Sequence, residues 1–428
     1  MEIDTMDPAA LSSTIGSPDL LPTKQRSDSQ GSQKSLSGED LIIQVSRMVK
    51  DRARAELIVL ELMEEYNFNF HEFKQLLKDN NLEVSFSRVK YQDIAPKIGL
   101  QPYGDGLDIP TFPIFQARLS NDLFQKILED IQLFTYQYRP LPLHDTEEAR
   151  SRFLSAYFNR IVGIFSGLIY NTPESMLEGK IVSKGRIEYQ FKTFGGVTIL
   201  FIEVKLSIGS LRERLDCIAQ VVAEANGVCV QPIDLKIQAN LSEACAWMNF
   251  QQGFRVPIIA VLCDGRSFTF FKFLDRRQTR TASPQFFIGQ FPNGSLEQVI
   301  IGMAPGVDPT NFFHHSRSIC ESLFYVFLTG YHCGLKAHWD RSMEAVKRQG
   351  HGKQSTPLWQ KAVHLAGDAV NSAKLAYTQW EEGQVEESKK SAESVLEYLA
   401  CSIDEVPRTQ PPFDLLKLFR QESADMNA

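Results

Sequence analysis

No two of the seven cysteines (Cys217, Cys229, Cys245, Cys263, Cys320, Cys333 and Cys401) form a CxxC pair. Their odd number and wide spacing argue against a disulfide framework or a zinc ribbon and fit a reducing compartment. No apolar run approaches the roughly 20 residues needed to span a bilayer. The opening MEIDTMDPAALSSTIGS also lacks a basic start followed by an apolar core. The chain is therefore expected inside the cell, in nucleus or cytoplasm, with no membrane association. Positive charge is scarce as well: 45 Lys and Arg against 52 Asp and Glu leave a formal net charge of -7. That balance excludes a protein coated in basic surface for non-specific nucleic-acid binding. The exception is the middle, where residues 147–290 hold 17 Lys and Arg against 13 Asp and Glu.

The 428 residues, 43% hydrophobic and 23% charged, are material for more than one folding unit. Residues 1–38 are rich in Ser, Gln, Asp and Pro and poor in large apolar side chains. They cannot offset the entropy of ordering and are expected to be a disordered tail. Residues 39–144 read as a helical N-terminal region and linker. Leu41, Val45 and Met48, then Leu57, Leu60, Leu62 and Met63, fall at helical spacing, and 112–138 holds another amphipathic stretch around Leu123, Ile127 and Ile131. The prolines of YRPLPLH oppose helix and place a boundary near Asp145.

From Asp145 the sequence predicts one helix, capped by Asp145, with Phe153, Tyr157, Ile161, Ile164 and Leu168 on one face. The period then changes. GKIVSKGRIEYQF and GGVTILFIEVKL are β-rich and meet at a turn, Phe194-Gly195-Gly196. SLRERLDCIAQVVAEANG is helical, with a stripe of Leu211, Leu215, Ile218 and Val222. VPIIAVLCDGRSFTFFKFL gives two strands about an Asp264-Gly265 turn. The core expected over 145–290 is thus an α/β unit. Residues 291–428 return to helix, notably 315–335, 358–380 and 386–401, with a last short helix after DEVPRTQPPF.

Chemistry enters at FIEVKLSIG, residues 201–209. Alternation puts Glu203 and Lys205 on the face of Phe201 and Ile199, with Ile202, Val204 and Leu206 on the other. Both faces are apolar upstream, as in a central strand covered on both sides. A carboxylate and an ammonium there need a partner or a cation. Positions symmetric about Gly195-Gly196 lie opposite each other, which brings Glu188 of GRIEY near Glu203. Two such carboxylates repel unless a cation joins them, and Mg²⁺ takes oxygen ligands.

An acid at the end of one strand and Glu-x-Lys on the next, with a helical glutamate before and a helix and strands after, resembles the PD-(D/E)XK nuclease superfamily. GRIEY stands where that family has its Pro-Asp pair and EVK as its Glu-x-Lys; Ile187 replaces the proline and Glu188 the aspartate. The likeness spans about 145–274, and the layout is similar to that of fungal proteins sharing this core. It implies a restriction-endonuclease-like α/β/α core with a mixed sheet, flanked by N- and C-terminal helical segments. It further implies Mg²⁺ or Mn²⁺ held by Glu188 and Glu203, with Lys205 at the attacking water, and DNA or RNA as substrate. The first-helix ligand would be Glu147, which lies nearer the apolar face than Glu148.

Each of these residues has an ordinary reading too. Glu203 and Lys205 would otherwise be a strand-end ion pair of little worth, and Glu72-Phe73-Lys74 and Asp234-Leu235-Lys236 show that the tripeptide is common. Glu148 completes a capping box with Asp145. Gln220 and Glu224, four apart on their helix, resemble the glutamine that some members of that family place near the site, but they fall opposite the apolar stripe and are assigned to solvent. Arg276, Arg277 and Arg280 of LDRRQTR are candidates for phosphate contact, or for a solvated strand end. His314, His315, His332, Cys333 and His338 lack ligand spacing and are assigned to core or surface rather than zinc. The competing function is an inactive scaffold of this fold whose flanking helices bind another protein.

Overall fold

The computed structural model describes residues 90–106, 108–172, 175–177, 185–226, 256–274, 285–300, 309–349 and 357–408. In chain order these form helix α1 (Tyr91–Ile94), strand β1 (Thr111–Pro113), and helices α2 (Asn121–Tyr138), α3 (Glu147–Leu154) and α4 (Asn159–Gly163). Strands β2 (Tyr170–Asn171), β3 (Ser175–Leu177), β4 (Gly185–Ile187), β5 (Tyr189–Thr193) and β6 (Val197–Val204) follow, then helix α5 (Leu211–Asn226). Strands β7 (Ile258–Cys263), β8 (Ser267–Leu274), β9 (Gln285–Gln290) and β10 (Gln298–Val299) precede helices α6 (Pro309–Gln349), α7 (Pro357–Glu381) and α8 (Val385–Glu405). The helices expected within 39–80, the tripeptides Glu72–Lys74 and Asp234–Lys236, Arg276, Arg277 and Arg280, and the short helix after residue 408 lie outside the described residues.

The protein is an α/β fold built on a mixed sheet of eight strands among the described residues, ordered β1-β9-β8-β7-β6-β5-β2 with β10 beside β8. The β6–β7 and β1–β9 pairs are parallel and the others antiparallel; β3 and β4 form a separate two-stranded ladder. All eight residues of β6 are buried, because helices cover both faces of the sheet. On one face Leu200, Ile202 and Val204 join a core with α2, α3, α4 and the apolar side of α6. On the other, Phe201 joins α1 and the second half of α5.

Two turns set the registers. Gly195 (φ 68°) and Gly196 (φ 79°) let the chain reverse between β5 and β6 in a conformation that disfavours side chains. Gly265 (φ 85°) does the same between β7 and β8, where Asp264 Oδ1 accepts from the backbone N–H of Arg266 at 2.9 Å and of Ser267 at 2.8 Å. Next to the first turn the pairing is Lys192 opposite Thr198, whereas beyond it Phe191 lies opposite Leu200 and Tyr189 opposite Ile202. Ile199 is therefore an extra residue on β6, a β-bulge. The bulge breaks the simple alternation: Ile199 packs with Leu200 and Ile202 on the α6 side, not with Phe201 as the sequence predicts. There it meets Gly330 and Gly334, two α6 glycines at which a Cβ would crowd Ile199 and Thr193.

The helix predicted from Asp145 is shorter and differently capped. Thr146 is the N-cap, its Oγ1 accepting from Ala149 N at 3.2 Å, and α3 ends at Leu154, with a 3₁₀ turn before α4. The break lets Phe153, Tyr157, Phe158 and Ile161 all enter the core without sharing one helical face. Before it, residues 111–113 extend the sheet as β1, so the amphipathic stretch predicted from residue 112 is helical only from Asn121. Ile114, Phe124, Ile127 and Ile131 belong to the same core as β6 and α6. So do Ala362, Ala366, Ala369 and Ala373 of α7, a fully buried row of small residues that lets its neighbours approach closely. Ser388 Oγ and Ser402 Oγ of α8 donate to the Ala376 and Ala362 carbonyls of α7 at 2.6 and 2.7 Å. Among the described residues no helix is long and apolar enough to cross a membrane.

Candidate active site

The site lies where β6 emerges from the sheet beneath α5. Continuing the β5–β6 register by one step sets Glu188, at the bend between β4 and β5, opposite Glu203. The bulge matters here: with the register found beside the turn, Glu188 would fall opposite Ile202 and address the other face. Glu188 Oε2 accepts from Val204 N at 3.4 Å, next in the chain to Glu203, whose charge helps to raise the Glu188 carboxyl. Beside it, Tyr189 OH donates to the Ser151 carbonyl at 2.6 Å and ties β5 to α3. The geometry thus brings Glu188, Glu203 and Lys205 together.

Glu203 is 1% exposed, and Lys205 Nζ donates to its Oε1 at 2.6 Å. Lys205 is held in turn by its own backbone N–H, which donates to the Cys263 carbonyl of β7 at 2.9 Å. The same Glu203 Oε1 accepts from Gln220 Nε2 at 2.5 Å, and Gln220 Nε2 also donates to Glu224 Oε1 at 2.9 Å. Gln220 is 8% exposed and Glu224 fully buried. This overturns their assignment to solvent. The second half of α5 is buried on every side, so the helix presents its apolar stripe and its polar pair to protein alike. The signal was present in the sequence: both residues stand among Ile218, Ala219, Val221, Val222, Ala223 and Ala225, leaving no polar face for water.

Glu147, at the start of α3, is exposed, and its charge reaches Lys205 and Cys217 without joining the buried group. Glu148 instead pairs with Arg152 at 2.8 Å on the surface. His338 stacks against the Trp359 ring at 4.6 Å, and His314 is exposed.

Three carboxyls and one ammonium share this buried place, leaving two uncompensated negative charges if all are ionised. Burial is the largest influence on each acid. With the neighbouring charge of Glu203 it pushes Glu188 up to about 9; with that of Glu224 it pushes Glu203 up to about 8; and it pushes Glu224, beside Glu188, up to about 8. Burial alone would lower the Lys205 ammonium, but the charge and hydrogen bond of Glu203 outweigh it and hold the group above its usual range. The three acids titrate as a unit that keeps protons well above the ordinary carboxylate range. Cys217 is pushed up to about 11, chiefly by burial, and is no nucleophile at neutral pH.

The raised values fix a sign for stability. Protons bound in the folded state but released by the unfolded chain stabilise the fold below about pH 4.5 in full, and that contribution is lost as pH rises through about 8 to 9. In chelator, the urea midpoint of the wild type is expected to fall between pH 5 and pH 9 more steeply than that of Glu203→Gln. Parallel curves would show that the cluster does not hold these protons.

Do these residues suit a divalent cation? Glu203 Oε2 and Glu224 Oε2 are buried and have no hydrogen-bond donor. An all-oxygen donor set, doubly negative once its protons have left, matches the preference of Mg²⁺ and Mn²⁺. Lys205 and Gln220 both occupy Glu203 Oε1, and no group of three His, Cys, Asp or Glu among the described residues is arranged to hold a metal ion. The donor chemistry fits, through the two free oxygens. Set against known proteins, the sequence matches no family and no curated protein.

Proposed function

We propose that the chain carries a Mg²⁺- or Mn²⁺-dependent phosphodiesterase centre of the PD-(D/E)XK kind, acting on DNA or RNA inside the cell. The observation that supports it is the convergence of Glu188, Glu203 and Lys205 at one end of β6, from two strands whose register a bulge adjusts. Glu188 and Glu203 would hold the cation, which when bound supplies a Lewis acid for the phosphate and a more acidic water. Lys205 stays an ammonium throughout the physiological range, so it serves as a donor and a fixed positive charge for the attacking water and the developing charge on phosphate, not as a general base. Gln220 orients Glu203 by occupying one of its oxygens. Glu147 stands at the rim, where its carboxylate adds to the field on Lys205.

A second reading, an inactive scaffold that binds another protein, draws on two observations. Lys205 already neutralises Glu203 without a cation. The flanking helices α7 and α8 also expose Leu375, Trp380 and Tyr398. Incubation with single- and double-stranded DNA and RNA separates the two. Metal-dependent cleavage lost in Glu203→Ala supports the enzyme; equal behaviour of the two proteins would overturn it.

A further inference from the structure

The C-terminal helices meet the start of α2 in a cleft of about 470 Å³, a size that suits a small organic ligand. None of its lining residues belongs to the strands or to α5, so it is separate from Glu188, Glu203 and Lys205. One wall is a face of α8, where Val385, Ala392 and Leu396 recur at helical spacing over about 16 Å. The first turn of α2 forms another. Trp380, near the end of α7, is 41% exposed and adds an aromatic surface.

The polar part of the cleft has donors to spare. Arg118 and Arg317 both line it and share one carboxylate, that of buried Glu321, which leaves one positive charge over. Arg317 is fully engaged: its Nε donates to Glu321, its Nη1 to Asn121 Oδ1 at 2.9 Å and its Nη2 to the Leu119 carbonyl. Arg118 is engaged among the described residues only through Nη1, which donates to Glu321 Oε2 at 3.3 Å, and through its stacking on the Trp380 ring at 3.9 Å. These two contacts fix the plane of the guanidinium and leave its Nε and Nη2 edge open. Two parallel N–H groups held in this way match the two oxygens of a carboxylate. The charges of Lys389, Glu393 and Asp122 are exposed, so solvent and salt screen them, and they decide less than the partly buried arginines.

We infer that this cleft binds a small organic acid, with its carboxylate on the free edge of Arg118 and its apolar or aromatic body along Trp380, Val385 and Leu396. One uncompensated charge suits a monoanion. The apolar wall distinguishes such a ligand from a bare inorganic ion, which would gain nothing there. The site stands independently of the phosphodiesterase reading. Because the cleft is bounded by α2, α6, α7 and α8, a bound acid also ties these helices together.

The test is calorimetric titration of the full chain with 2-naphthoate, with its uncharged amide 2-naphthamide, and with inorganic phosphate, for wild type, Arg118→Met and Val385→Glu. Circular dichroism and urea midpoints check each fold. Arg118→Met removes a partner of Glu321, whereas Val385 is half-exposed and a glutamate in the first turn of α8 suits the helix dipole. Val385→Glu therefore keeps the test decisive even where Arg118→Met is unstable. Wild type is expected to bind naphthoate at least about tenfold more tightly than the amide, the discrimination that charge-assisted hydrogen bonds supply. Both variants are expected to lose at least about that factor for naphthoate and less for the amide. No naphthoate binding by wild type, equal affinity for acid and amide, or naphthoate binding unchanged in Val385→Glu would overturn the inference. So would binding of phosphate without naphthoate, which would make the cleft a site for inorganic anions.

Discussion

Replacing Lys205 by methionine is expected to lower nucleic-acid cleavage by about 100- to 1000-fold, the range for losing one preorganised charge-stabilising donor, while Mn²⁺ affinity holds or tightens. Methionine fills the space of the lysine stem. What leaves is the ammonium that lies 2.6 Å from Glu203 Oε1. Without it Glu188 and Glu203 would face a cation with no competing positive charge, so binding does not suffer. Chemistry does, because the fixed positive charge that would assist the cation in offsetting the charge on phosphate is gone. Single-turnover rates and Mn²⁺ titrations on the same preparation separate the two effects. Cleavage unchanged from wild type would remove Lys205 from the mechanism. A collapse of Mn²⁺ affinity in step with the rate would make it a structural support of the carboxylates instead.

The largest stability effect is expected far from this site. Glu321 of α6 is 1% exposed. Its Oε1 accepts from Arg317 Nε at 3.0 Å and from Leu119 N at 3.1 Å, and its Oε2 from Arg118 Nη1 at 3.3 Å. Its backbone carbonyl accepts from Ala117 N at 3.1 Å. Arg118 in turn lies over the Trp380 ring of α7 at 3.9 Å, so one carboxylate joins α6, the entry to α2 and the C-terminal helices. Glu321→Ala leaves the partly buried Arg118 guanidinium and the Leu119 amide without this acceptor, while Arg317 keeps Asn121 Oδ1 and the Leu119 carbonyl, and is expected to destabilise the fold by about 3 kcal/mol. Glu321→Gln keeps an acceptor oxygen and is expected to lose less. Urea midpoints measure both, and a midpoint within error of wild type for the alanine variant would rule the cluster out as a support of the fold.

Much of this arrangement can be read from residue order. Gly195-Gly196 and Asp264-Gly265 announce their turns through residues that tolerate positive φ, and symmetry about the first turn suffices to pair Glu188 with Glu203. The bulge at Ile199 cannot be read, because a single extra residue in an apolar run leaves no trace in polarity. It is this bulge that corrects the one-residue offset beside the turn and that sends Ile199 to the α6 side. The helix from Asp145 misleads for a different reason: its apolar residues do fall at helical spacing, yet the tertiary core takes them from three short turns. Gln220 and Glu224 are misassigned because a helical wheel supposes that one side of every helix meets water, and the second half of α5 has no such side. Glu321 hides the same way, a charge within an apolar stripe whose arginine partners come from another segment and from its own helix. What sequence conveys well is local chemistry and symmetry. What it conceals is which polar groups are turned inward to meet one another.

The central claim is that Glu188, Glu203 and Lys205 form a cation-dependent phosphodiesterase centre, and the most direct measurement is the rate of nucleic-acid cleavage by the full chain as Mn²⁺ is raised from zero, beside Glu203→Ala. The expected result is cleavage that is absent in chelator, rises with Mn²⁺ to a plateau in wild type, and is lost in the variant. Cleavage that ignores the chelator, that persists in Glu203→Ala, or that wild type never shows on any DNA or RNA would contradict the assignment.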